Sequence, residues 1–212
     1  MFYLVQTPAW VKKIYPKRIW DIPTDQKEIF LTFDDGPHPV QTPFVLDELQ
    51  KFNAKATFFC IGKNVTEHPE IYTRILEEGH AVGNHTHNHL NARKVEDADY
   101  LQNIRQASQY IDSNLFRPPY GRINSFLVNQ LLLPAHSLRT VMWTVLSGDF
   151  DTAITPERCL ENVLLHTRAG SIVVFHDSDK ARERMRFALP AVLQYFIERG
   201  YIFSPVKAGN LL

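Results

Sequence analysis

Short runs rich in β-branched and aromatic residues alternate with longer segments whose apolar positions recur at helical spacing, along the whole chain. The short runs predict seven strands, near Ile29 to Phe33, Ala56 to Ile61, His80 to Gly83, Leu115 to Arg117, Thr140 to Leu146, Ser171 to Phe175 and Tyr201 to Phe203. Between them, Leu46, Leu49 and Phe52, then Ile71, Ile75 and Leu76, then Val192, Leu193 and Phe196 read as helical stripes facing a core. Thr42-Pro43 and Thr155-Pro156 have the form of an N-cap followed by a first-turn proline, while Gly79, Gly170 and Gly200 stand where helices should stop. Pro190 is expected to kink or split the last helix.

Strict alternation of strand and helix gives either an open doubly wound sheet or a barrel, and both carry their sites at the carboxyl ends of the strands. Polar residues collect at those ends here: Asp34 and Asp35 after the first strand, His85 after the third, Arg117 to Gly121 after the fourth, Asp149 after the fifth and His176 after the sixth. An open sheet would spread them along a line, whereas a barrel gathers them around one axis. The expectation is therefore an α/β fold, a distorted (β/α) barrel of about seven strands. Residues 29–212 would form its catalytic domain, with 1–28 a segment packing on it.

Composition narrows the partners. The chain has 212 residues, 44% hydrophobic and 22% charged, which is ordinary for one globular unit. Its 23 Lys and Arg residues balance 23 Asp and Glu, so it lacks the basic field of a nucleic-acid binder. No apolar run approaches the ~18 residues that cross a bilayer. The apolar start Met1 to Val5 precedes the basic residues Lys12, Lys13, Lys17 and Arg18, the reverse of a secretory signal, which favours the cytoplasm. The same stretch, basic, aromatic and free of acids, either packs across the domain or meets a membrane surface. Cys60 and Cys159 fit no disulfide framework or metal-ligand pattern and read as buried thiols.

The strand-end residues suggest metal-assisted hydrolysis. His85 and His89 are spaced i and i+4, which on a helical turn puts two imidazoles on one face as zinc sites use. With one carboxylate from the Asp34-Asp35 pair they make a His₂Asp set that leaves a fourth position open. Two adjacent acids also allow a division of labour, one bound to metal and one acting as general base. Arg117 is the group to keep that base ionised, and the Pro118-Pro119-Tyr120-Gly121 turn is stiff enough to aim a backbone N–H at a developing oxyanion. His176 ends a buried-strand run at the same mouth, where a nearby carboxylate would keep it protonated as a general acid; spacing alone does not choose between Asp149 and Asp151.

These residues resemble the polysaccharide deacetylases of carbohydrate esterase family four. The resemblance rests on five ordered motifs: Thr32-Phe33-Asp34-Asp35-Gly36-Pro37, His85-Thr86-x-x-His89, Arg117-Pro118-Pro119-Tyr120-Gly121, the region Trp143 to Phe150, and Val174-Phe175-His176. It implies that Asp34 is the base, that Asp35, His85 and His89 hold one divalent ion, most simply zinc with cobalt or manganese as alternatives, and that Arg117 tethers Asp34. It further implies that the Tyr120 amide helps form the oxyanion hole, that His176 is the acid supported by Asp149, and that Phe150, Val174 and Tyr120 meet substrate. The reaction implied is hydrolysis of an N-acetyl group on an amino sugar. Two positions depart from the common pattern, Leu146 where an Asp is frequent and Phe150 where a Trp is frequent, and they bear on substrate rather than on metal chemistry. A small-amide or imide hydrolase with the same machinery, and a carbohydrate-binding pseudoenzyme of the same fold, are the alternatives. His38 and His87 match no family position and read as loop residues.

Overall fold

The computed structural model describes residues 3–207. All its strand pairings are parallel, and the sheet has eight strands. They are β1 (Glu28–Asp34), β2 (Thr57–Cys60), β3 (Ala81–Asn84), β4 (Leu115–Phe116), β5 (Arg139–Thr140), β6 (Val145–Leu146), β7 (Ile172–His176) and β8 (Ile202–Phe203). Their order is β5-β4-β3-β2-β1-β7-β6, with β8 added to the start of β1. The helices are α1 (Ala9–Ile14), α2 (Gln41–Lys51), α3 (Gly62–Glu67), α4 (Pro69–Glu77), α5 (Asp97–Ala107), α6 (Ser125–Leu131), α7 (Pro156–His166) and α8 (Arg182–Ile197).

The central strand β1 is a near-continuous apolar run because both of its faces are covered. Side chains alternate across it. Ile29, Leu31 and Phe33 turn outward and pack with Leu46 and Leu49 of α2 and Leu189 and Val192 of α8. Phe30 turns inward, into a second cluster with Phe59, Leu115, Val141 and Ile172 that fills the barrel. Thr32 and Asp34 continue that inward row, and the register of β7 places Ile172, Val174 and His176 beside Phe30, Thr32 and Asp34. Alternation alone thus lifts two chemically active side chains to the top of an apolar plug.

The barrel closes in an irregular way. The expected strand from Thr140 to Leu146 is two strands on opposite edges of the sheet, β5 beside β4 and β6 beside β7. Between them the Val141 N–H still donates to the Phe116 carbonyl at 2.8 Å, while the Thr144 N–H donates to Ile172 at 3.0 Å. One extended segment therefore crosses from edge to edge. The gap it leaves is filled by the N-terminal stretch, where the Thr7 N–H donates to Thr144, the Met142 N–H to Ile19 and the Leu146 N–H to Val5.

Three local expectations are corrected. Helix α8 runs unbroken through Pro190. Thr42 lies inside α2 rather than capping it; the N-cap position is Val40, and the N–H groups of Val40 and Gln41 donate to His38 Nδ1 at 3.1 and 3.2 Å. Leu76 turns to solvent while Ile71 and Ile75 are buried. Thr155 does cap α7, its hydroxyl accepting the Arg158 N–H at 3.2 Å, and both cysteines are buried free thiols.

Candidate active site

Asp34, the last residue of β1, is buried, and its Oδ1 accepts Nη1 of Arg117 at 2.7 Å. Arg117 follows β4 and has no exposed surface. It spends its remaining donors inside the barrel, on Thr32 Oγ1 at 2.7 Å and on the carbonyls of Val141 and Met142 at 3.2 and 2.9 Å. Its guanidinium lies 4.0 Å from the centre of the Phe59 ring. Burial pushes the guanidinium's pKa down and the Asp34 charge pulls it back up. A planar cation with all sides engaged holds one carboxylate in one place.

Asp35 has φ 87°, an unusual conformation for an aspartate. Three contacts maintain it. Asn64 Nδ2 donates to the Asp35 carbonyl at 2.7 Å, the Gly36 N–H donates to Asp177 Oδ1 at 2.9 Å, and the Thr42 hydroxyl donates to the other Asp177 oxygen. Position 36 has to be glycine, since a Cβ there would lie 2.0 Å from Asp177 Oδ2. Burial pushes the Asp177 carboxyl up to about 7. Neither Asn64 nor Asp177 stands out as a site residue in the sequence, although the His176-Asp177 pair was a visible cue.

His85 and His89 reach Asp35 without a helical turn, because residues 85–89 form a loop. Thr86 and His89 take positive φ of 62° and 53°, and distant side chains suspend the loop. Asn84 Oδ1 accepts the Thr86 N–H at 2.8 Å, and Asn103 Oδ1 of α5 accepts the N–H groups of His87 and Asn88 at 2.9 and 3.0 Å. The expected one-face spacing is replaced by a bent loop that brings both imidazoles to the same carboxylate. His85 Nε2 lies 3.7 Å and His89 Nε2 3.2 Å from Asp35 Oδ1. His85 Nδ1 is 2.8 Å from the Arg117 carbonyl, which assigns the proton to that nitrogen and leaves Nε2 for a ligand. Burial pushes the His85 pKa down to about 4, so the ring is neutral, the form that binds metal. For Asp35 burial raises the pKa, but His89, His176 and His85 outweigh it and hold the carboxyl below its usual range.

The donor chemistry suits a divalent cation. One ligand atom from each of Asp35, His85 and His89 lies within 4.8 Å of the others, and buried Asp35 Oδ1 has no hydrogen-bond partner among the described residues. An orphaned anionic oxygen between two imidazole nitrogens is what a cation would satisfy.

On the other wall, Asp149 resolves the choice the spacing left open. Its Oδ2 accepts the His176 N–H at 2.6 Å and its Oδ1 lies 2.7 Å from His176 Nδ1, leaving Nε2 toward the mouth. Burial disfavours the imidazolium, but Asp149, then Asp35 and Asp34, push the pKa of His176 up to about 10. Asp151 instead takes the Tyr3 hydroxyl, whose pKa burial and the Asp151 charge push up to about 12. Tyr3 lies 5.2 Å from the Phe150 ring, which meets His176 edge-on at 5.2 Å. The hydroxyl also reaches the backbone at Gly148, where a Cβ would come within 2.6 Å of it. The N-terminal segment thus completes this wall, a contact no local pattern announced.

Tyr120 sits at the rim, 56% exposed with φ 60°, its ring 4.7 Å from that of His89. Val174 is 1% exposed and lies one layer below His176, so it floors the wall and offers no surface to substrate. Leu146 is buried in β6, and His87 packs against Tyr110.

Residues 21–132 match the family model described as polysaccharide deacetylase. A peptidoglycan-N-acetylglucosamine deacetylase of Bacillus cereus is 35% identical over 194 residues, covering 89% of this chain and 90% of its own. A chitooligosaccharide deacetylase of Azorhizobium caulinodans is 34% identical and covers 87% and 95%. Among solved structures, the Bc1960 peptidoglycan N-acetylglucosamine deacetylase in complex with 4-naphthalen-1-yl-N-oxidanyl-benzamide superposes with a TM-score of 0.84, at 30% identity, over 94% of this chain and 95% of that one.

Proposed function

The chain belongs to the polysaccharide deacetylase family, and we propose that it is a metal-dependent hydrolase that removes N-acetyl groups from oligo- or polysaccharides containing N-acetylglucosamine. The observation that carries this reading is the pairing of Asp34 with Arg117 and of His176 with Asp149 beside the Asp35, His85 and His89 group. One pair is built to accept a proton and the other to give one.

Asp35, His85 and His89 would hold the ion, which we take to be zinc; when bound it supplies Lewis acidity, polarising a carbonyl and lowering the pKa of water. Asp34, held in place by Arg117, takes a proton from water as its oxygen attacks the acetyl carbon. The Tyr120 amide, presented at the turn where the backbone reverses, donates to the carbonyl oxygen as charge builds there. His176 Nε2 then gives its proton to the amide nitrogen as the C–N bond breaks, so that acetate and a free amine leave. Phe150 and Tyr3 exclude water on the His176 side. The half-exposed Tyr120 ring at the rim offers a flat face to a sugar, which favours an open carbohydrate groove over an enclosed small-amide pocket.

An acetate-release assay of the zinc-loaded protein on chitooligosaccharides, peptidoglycan fragments and simple acetamides tests the proposal. Release of acetate from the first or second class is expected; release from simple acetamides alone would assign the chain to small amides, and binding of sugar without release would make it a pseudoenzyme.

A further inference from the structure

The N-terminal flank of the barrel carries a surface that the proposed chemistry does not use. Asp21 and Ile22 lie beside Ser171 and Gly170 just before β7, while Ile19 pairs with Val141 just past β5 and Arg18 reaches the Ile123 carbonyl after β4, so the segment from α1 to Ile22 runs along the flank of the barrel. Helix α1 buries none of its residues. Trp10 is 62% and Ile14 58% exposed, one turn apart on the same side of the helix, and Tyr15 follows at 37%. A short helix that leaves its largest apolar side chains in water gains little from packing within this chain.

Charge is concentrated at the same place. The whole chain has no net charge, yet Lys12, Lys13, Lys17 and Arg18 precede the first acidic residue, Asp21. Asp21 pairs with Lys12. Lys13 and Lys17 are exposed, and the hydrogen bonds of Lys17 and Arg18 go to neutral acceptors, Asn129 Oδ1 at 2.8 Å and the Ile123 carbonyl at 2.9 Å. Lys17 and Arg18 line a cleft of about 500 Å³ together with Arg139 and half-exposed Leu132. A second cleft of about 200 Å³ shares them and is walled by Ile14 and Tyr15.

Basic groups interleaved with exposed Trp, Tyr and aliphatic side chains match the two layers of a bilayer surface, anionic headgroups above and acyl chains beneath. We propose that this face docks the protein on an anionic lipid bilayer, with Trp10, Ile14 and Tyr15 entering the interface and Lys13, Lys17 and Arg18 meeting headgroup phosphates. A soluble polyanion would use the cations and leave the apolar residues unrewarded, and a second copy of this chain would bring like charges together.

Co-sedimentation of the full chain with vesicles tests this. Binding to phosphatidylcholine vesicles containing phosphatidylglycerol, absence of binding to phosphatidylcholine alone, and release by salt are expected. Lys13→Gln and Lys17→Gln should each weaken partitioning roughly fivefold, the effect of one basic residue at an anionic surface. Trp10→Ala with Ile14→Ala should weaken it as well, while the acetate-release rate on a soluble substrate stays unchanged and shows that the variants are folded. Absence of binding to anionic vesicles overturns the proposal. So does equal binding to inorganic polyphosphate with no effect of the Trp10 and Ile14 substitutions, which would identify a soluble polyanion site, or self-association that these substitutions abolish.

Discussion

Asp34 and His176 are register partners, side by side on the adjacent parallel strands β1 and β7. Each is claimed by a different buried partner, Asp34 by Arg117 at 2.7 Å and His176 by Asp149 at 2.7 Å. The backbone hydrogen-bond ladder therefore sets the spacing between proton acceptor and proton donor, and two ion pairs fix where each side chain points. Rigid strands place both groups, the arrangement that best preserves a productive geometry.

The acid role of His176 predicts a pH signature. Asp149 raises the imidazole pKa and burial lowers it, so Asp149→Asn removes the raising influence and the ring loses its proton at lower pH. The alkaline limb of kcat/KM should move down by about 1–3 pH units. His176→Ala should cost about 10²–10⁴-fold on an amide and far less on an activated aryl acetate, whose leaving group scarcely needs a proton. Equal losses on the two substrates would remove His176 from proton donation.

Much of this site was legible in sequence because it lies where strands end. The inward row of Phe30, Thr32 and Asp34 follows from alternation, and Asp35, His85 and His89 belong to a ligand set with few other uses. What stayed hidden depends on distant contacts. The His85 to His89 loop takes its bend from Asn103, sixteen residues from His87, so its spacing suggested a helical turn that does not form. The segment from Thr140 to Leu146 looks like one strand because both halves are apolar, and only closure of the barrel sends them to opposite edges. Tyr3 meets Phe150 across 147 residues of the chain.

Arg117 should matter to folding as well as to rate. Arg117→Met leaves the buried Asp34 carboxylate without its cation, which costs about 3–5 kcal/mol. Thermal or urea unfolding should show this loss, and adding Asp34→Asn to Arg117→Met should recover part of it, because the stranded charge is gone. Additive losses in the double variant would mean that the two residues do not act as a pair.

Tyr3 supports Phe150, and through it His176. Tyr3→Ala removes an aromatic contact worth about 0.5–1.5 kcal/mol and loosens that wall, so kcat should fall up to about tenfold with zinc content unchanged. Tyr3→Phe keeps the ring and should retain most of the rate, losing only the hydroxyl's bond to Asp151. A rate for Tyr3→Ala equal to the native one would limit the N-terminal segment to closing the barrel.

The division of labour between Asp34 and Asp35 is the center of this account, and zinc content and acetate release measured on the same samples of Asp34→Asn and Asp35→Asn test it most directly. Asp34→Asn should keep its zinc and lose about 10²–10⁴-fold in rate, since an amide cannot accept the proton. Asp35→Asn should lose the zinc and the activity together, because it removes the only carboxylate from the His₂Asp set. Zinc lost from Asp34→Asn and retained by Asp35→Asn would contradict the account and exchange the two roles.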